Sequence, residues 1–185
     1  MGGIGKTSLV VKLAQQIQDE FQGVIWRSLR NAPPFTTLLG DLVSFISEQQ
    51  DTEAKLERLM YWLRASRCLL ILDNVETILQ AGDWAGQYRP GYEGYGEVFK
   101  GIGEMAHQSC LILTSREKPA EIATLEGIEL SVRSLRLSGS LEAAQALIQT
   151  KGLLGSETEK QQLCQLYGCN PLALKIVGTI DSGLV

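Results

Sequence analysis

The chain has 185 residues, 44% of them hydrophobic and 21% charged, with a formal net charge of −4. A chain of that length buries roughly 70% of its unfolded surface and needs no disulfide or metal staple. Its acidic balance excludes a broad nucleic-acid-binding face, which would be basic. The four cysteines, Cys68, Cys110, Cys164 and Cys169, lack metal-ligand spacing and His107 is the only histidine, so no zinc site is expected.

No signal peptide opens the chain and no apolar run approaches membrane-spanning length, so a cytoplasmic protein without a membrane partner is expected, its thiols buried and reduced. The first residues are Met1-Gly2-Gly3-Ile4-Gly5-Lys6-Thr7-Ser8. The phosphate-binding pattern G-x-x-x-x-G-K-[ST] is met from its first variable place onward, and its leading glycine would stand ahead of Met1. Small residues let successive backbone N–H groups of Gly2, Gly3, Ile4 and Gly5 turn around phosphate oxygens. A helix starting near Lys6 adds the positive end of its dipole. Lys6 is expected to reach the β- and γ-phosphates of a nucleotide and Thr7 to ligate Mg²⁺. A glycine-rich turn that merely caps a helix is the alternative.

Leu9, Val10, Leu13, Ala14 and Ile17 recur at helical spacing, which predicts a helix to about Asp19. Val24-Ile25-Trp26 reads as a short strand and 31–34 as a loop. Leu38 to Ile46 and Leu56 to Leu63 outline two further helices. Cys68-Leu69-Leu70-Ile71-Leu72 is apolar at every position, the pattern of a parallel strand buried on both faces. It ends at Asp73-Asn74, with a helix expected up to Gln80. The stretch 82–103, rich in glycine and holding Trp84, Tyr88, Tyr92, Tyr95 and Phe99, reads as a long loop running into a helix that ends near His107. Cys110-Leu111-Ile112-Leu113 is a second buried strand. Ile128, Leu130 and Val132 alternate as in a strand with one wet face. Beyond Leu137 the pattern is helical, with a capping box at Ser156 and Glu159 and Pro171 in the first turn of a last helix.

Asp73 closes a buried strand, the place where α/β sheets bind ligands. There it could hold Mg²⁺, or cap the segment that follows. Arg116 ends the second buried strand and could pair with a γ-phosphate, or with Glu117 or Glu121.

Together MGGIGKTSLV, LLILDNVE, LILTSRE and GCNPLALKIVG resemble the NB-ARC family, of the STAND class of signal-transduction P-loop ATPases. The resemblance implies an α/β P-loop NTPase fold, a three-layer sandwich with a mainly parallel sheet, followed by a small helical bundle. The implied domains are 1–137, binding nucleotide, and 138–185, carrying the Gly-x-Asn-Pro-Leu motif. The cofactors it implies are ATP or ADP with Mg²⁺. Lys6 and Thr7 match the phosphate and Mg²⁺ contacts, Ser8 lies near the α-phosphate, and Asp73 matches the Mg²⁺ aspartate. Arg116 matches the γ-phosphate sensor, and Pro171, with Leu172 beside it, the proline that lies against adenine.

Three departures accompany the match. The strand expected ahead of the phosphate loop, the first of the sheet, is missing, and the resemblance implies that the chain alone is of low stability. Asn74 stands where many members carry a second acidic residue, and an amide orients water but cannot take its proton; Glu76 is the nearby carboxylate. The resemblance also implies a winged-helix domain after the helical bundle, to which no residue of these 185 is expected to belong. The expected function is an ATP/ADP switch that controls assembly, through self-association or a partner protein, with slow or no hydrolysis. An actively hydrolysing ATPase and a fragment that binds nothing remain as alternatives.

Overall fold

A computed structural model describes residues 2–82 and 86–181, and the side chains of all but the last three of these. Met1 and Trp84 lie outside the described residues. The chain divides into two compact units, Val10–Ser134, and Met1–Leu9 with Leu135–Val185. The sequence alone places the division at residue 137 and counts the first nine residues with the sheet.

In the Val10–Ser134 unit, β1 (Gly23–Ser28), β2 (Cys68–Asp73) and β3 (Cys110–Leu113) form a parallel sheet in the order β1-β2-β3. Every residue of β2 is buried, as a continuous apolar run between two parallel neighbours requires. The two-residue period of a strand then sorts its side chains into two cores. Cys68, Leu70 and Leu72 join Ile25, Leu111 and Leu113 on one face, against α2 (Phe35–Ile46), α3 (Leu56–Ala65) and α4 (Gly94–Glu104). Leu69 and Ile71 join Val24, Trp26 and Ile112 on the other, against Val10, Ala14 and Ile17 of α1 (Lys6–Ile17). This is the expected sandwich, helices on both faces of a parallel sheet. Each Leu or Ile so buried contributes roughly 1.5–3 kcal/mol.

The glycine- and tyrosine-rich stretch has a structural role. Ala32-Pro33-Pro34 leaves carbonyls that its own prolines cannot pair. Tyr92 Oη donates to the Ala32 carbonyl and Tyr95 Oη to that of Pro33, each at 2.8 Å. Burial of Tyr95 pushes its phenol up to about 12. Tyr88 Oη donates to Glu121 at 2.7 Å, and Gly96 sits so close that a Cβ there would lie 2.6 Å from the Glu121 carboxylate and 2.8 Å from the Tyr88 ring.

Four expectations give way. Residues after Asp73 form one 3₁₀ turn, Val75–Ile78, because Asn74 enters it in the left-handed conformation (φ 65°) and Thr77 Oγ1 bonds back to the Leu29 carbonyl at 2.5 Å. Residues 128–132 are not a strand. Gly127 and Leu130 close a turn, Val132 makes only an isolated bridge to Glu126, and Ile128 is 87% exposed. On α1, Leu9 and Leu13 are exposed, leaving Val10, Ala14 and Ile17 as its packed stripe. Cys110 is exposed rather than buried, and all four cysteines are free.

In the other unit, α6 (Leu141–Thr150), α7 (Glu157–Leu166) and α8 (Pro171–Asp181) surround Ala144, Ile148, Cys164 and Leu174. Preceding them, α5 (Ala120–Leu125) belongs to the sheet unit. The Ser156–Glu159 capping box is formed in both directions. Among the described residues no helix is long and apolar enough to cross a membrane.

After α2, the Asp51 carboxylate gathers the loop that leads to α3. It accepts from Trp62 Nε1 at 3.0 Å, from the Glu53 amide at 3.0 Å and from Arg58 Nε at 2.5 Å. These bonds, Trp62 foremost, lower its pKa to about 2. Because an unfolded aspartate titrates near 3.9, the contribution is present above about pH 4 and is lost as pH falls through about 2. In Asp51→Asn, acid unfolding followed by circular dichroism should lose steepness in that window, and a profile identical to the parent would remove Asp51 from the account.

Candidate functional site

At the start of the chain, Gly3 (φ 74°) and Gly5 (φ 98°) both adopt the left-handed conformation, and α1 begins at Lys6. The Gly5 carbonyl accepts from the Leu9 amide at 2.9 Å, closing the first turn. Lys6 is half-buried, and Thr7 and Ser8 are exposed at the helix start, where the dipole favours anions.

The loop is held from one side. Asn170 Nδ2 donates to the Gly2 carbonyl at 2.8 Å, and the Leu172 amide donates to the Gly3 carbonyl at 3.3 Å. In a planar trans peptide the carbonyl of one residue points opposite to the N–H of the next. Drawing the carbonyls of Gly2 and Gly3 toward α8 therefore turns the amides of Gly3 and Ile4 the other way, as an anion nest requires. Gly3 is confined as well as left-handed, since a Cβ there would stand 2.4 Å from Leu172 Cβ.

Asn170 does two things with one side chain. Its Oδ1 accepts from the amides of Leu172 (3.0 Å) and Ala173 (3.3 Å), capping α8, whose first residue is Pro171 as expected. It is buried. The sequence places Asn170 in the Gly-x-Asn-Pro-Leu motif but suggests roles only for Pro171 and Leu172, although an Asn directly before a helix-starting Pro is itself a capping signal.

In the sheet unit the second group of residues lies at the C-terminal ends of β2 and β3. Asp73 is buried and accepts a short hydrogen bond from Thr114 Oγ1. The same hydroxyl oxygen accepts from the Asn74 amide at 3.1 Å. The Val75 amide reaches the Thr114 carbonyl at 2.9 Å, and the Leu29 amide the Asp73 carbonyl at 2.7 Å. Asn74 is one of the residues that tolerates the left-handed conformation it holds. Arg116 pairs with neither Glu117 nor Glu121: its Nε lies 3.1 Å from Glu76 Oε1, while Glu121 is bound to Tyr88. Thr114 and the Glu76–Arg116 pair were not foreseen, for they join residues about forty positions apart.

Among the described residues no three His, Cys, Asp or Glu side chains gather to hold a metal. Mg²⁺ bound with a nucleotide takes one or two protein oxygens and completes its shell with phosphate and water. Gly2, Gly3 and the Asn170–Leu172 turn are thus one assembly, and Asp73, Asn74, Glu76, Thr114 and Arg116 another.

The chain matches the family model of the NB-ARC domain over residues 1–146, a span that ends before the Asn170 turn. It is 50% identical, over 195 aligned positions covering 97% of this chain, to the uncharacterized WD repeat-containing protein alr2800 of Nostoc sp. (strain PCC 7120 / SAG 25.82 / UTEX 2576). The chain spans 16% of that relative's length.

Asn170→Ala removes both the cap of α8 and the donor to Gly2. It should destabilise the unit by about 1–3 kcal/mol, read as a lower denaturant midpoint. An unchanged midpoint would show that the turn does not depend on this side chain.

Proposed function

The chain belongs to the NB-ARC family of nucleotide-binding signalling ATPase modules, and on that basis we propose that it is an ATP/ADP-controlled switch with slow or no hydrolysis. Gly2, Gly3, Ile4 and Gly5 would wrap the phosphates by their amides, with Lys6 on the β- and γ-phosphates and Ser8 near the α-phosphate. Thr7 and Asp73 would hold Mg²⁺, which lowers the cost of charge developing on the phosphates. Arg116 would read the γ-phosphate, and Pro171 and Leu172 would lie against the base. The nucleotide-binding domain is taken as residues 1–137 and the helical domain as 138–185.

The observation that carries the reading is the bond from Asn170 to the Gly2 carbonyl. It makes the phosphate loop and the Gly168–Leu172 turn one structure, so a ligand that reshapes the loop acts directly on the helical bundle. The output would be assembly with a second copy or a partner protein. The relative's name records WD repeats, which build β-propellers.

Lys6→Ala should abolish binding of ATP and ADP by calorimetry while leaving circular dichroism unchanged, because a phosphate ligand at the loop adds little to either core. Retained affinity would defeat the assignment of the loop. Hydrolysis should be far below the enzyme-typical rate of about 10 per second, since the residue after Asp73 is an amide. Asn74→Asp supplies a carboxylate at a position whose left-handed backbone Asp also tolerates, and should raise steady-state phosphate release. A parent chain already at the typical rate would overturn this reading.

A further inference from the structure

The Glu76–Arg116 pair is built unlike an ordinary surface salt bridge. Arg116 is 58% exposed, whereas the Glu76 side chain is 15% exposed. One carboxylate oxygen, Oε1, faces the guanidinium; the other, Oε2, is buried and has no hydrogen-bond partner. Most buried carboxylate oxygens are bonded, and a carboxylate left so poorly satisfied depends on its neighbouring cation for compensation. The guanidinium sits just beyond the end of β3, at the rim where Thr114 also holds Asp73. Glu76 itself is fixed from below: its 3₁₀ turn is tied to Thr114 through the Val75 amide and to Leu29 through Thr77. The acceptor is therefore rigid and the donor is on an exposed, flexible stem.

We propose that Glu76 is a latch that holds Arg116 in the resting chain, and that a γ-phosphate must take the guanidinium from it. Arg116 then has two alternative acceptors, the Glu76 carboxylate and the terminal phosphate of a nucleoside triphosphate. A diphosphate offers nothing at that place and leaves the latch closed. Glu76 thus weakens triphosphate binding selectively, because part of the Arg116–phosphate interaction is offset by uncovering a carboxylate with one oxygen already unbonded. Glu76 acts through Arg116 and is a positioning residue. The proposal rests on the nucleotide-binding reading above and adds to it the residue that sets preference between the two nucleotides.

The test is calorimetric titration of the full chain with ADP and with a non-hydrolysable ATP analogue, both with Mg²⁺. Glu76→Gln keeps the shape of the side chain and removes its charge; it should tighten the triphosphate analogue about three- to tenfold, in keeping with one partly exposed ion pair, and leave ADP affinity unchanged. Glu76→Asp, which shortens the reach to Arg116, should shift in the same direction and serves if the glutamine variant melts early. In an Arg116→Ala background the Glu76→Gln effect should vanish. Equal triphosphate affinity in parent and Glu76→Gln, a gain shared by ADP, a loss for either nucleotide, or a gain that persists without Arg116 would each overturn the latch while leaving the nucleotide site standing. A folded parent chain that binds neither nucleotide would overturn the nucleotide reading, and the latch with it.

Discussion

The sheet unit depends on the double burial of β2. With a neighbour on each edge and a helical layer on each face, its six residues have no solvent-facing side, so its register cannot slip without moving every side chain to the wrong core. That constraint reaches Asp73. The last residue of the strand inherits the register of Leu72, and its carboxylate appears at the sheet's C-terminal rim because the alternation places it there. Thr114 then holds the carboxylate and the Asn74 amide with one hydroxyl. The buried strand positions the acid, and the neighbouring strand orients it.

What was legible in the sequence follows from how local each signal is. The runs Cys68–Leu72 and Cys110–Leu113 could both be read as strands from their complete apolarity, but only the first is buried throughout; Cys110–Leu113, at the end of the sheet order, has an exposed first residue and three half-buried ones. The Ser156–Glu159 box and Pro171 are local devices too, and both stand where the pattern put them. Ile128, Leu130 and Val132 misled for a physical reason. Alternation records which side chains would share a face, but a strand also needs a neighbour for its amides, and Gly127 lets this segment turn onto itself instead. Tyr92 and Tyr95 were illegible because their partners, the carbonyls of Ala32 and Pro33, lie some sixty residues away.

The same limit governs the candidate site. Lys6, Thr7, Asp73 and Arg116 were singled out because motif spacing is a sequence property. Their orientation was not, since it comes from Thr114, Glu76 and Asn170, each joined to its target across the fold. Glu76 is instructive: weighed as a spare carboxylate beside Asn74, it instead bonds an arginine. A residue type suggests which chemistry is possible, whereas the packed neighbour decides which is used.

Asn170 gives the two ends of the second unit a common fate. Its Oδ1 caps α8 while its Nδ2 grips the loop, and both must be satisfied for a buried amide to be stable. A shift of the loop that lengthens the Gly2 bond leaves a buried donor unpaired. A shift of α8 that preserves the cap carries Nδ2 away from Gly2. The close approach of Gly3 to Leu172 blocks the intermediate solution, in which the loop slides along the helix without parting from it. In the structure the loop and α8 are joined, and a separated arrangement would have to satisfy the Asn170 amide elsewhere. A ligand that binds the loop amides differently in the two shifts that balance by its difference in affinity and by no more. A ligand on the loop would need no long pathway to reach the helical bundle, because the loop and the bundle share one side chain.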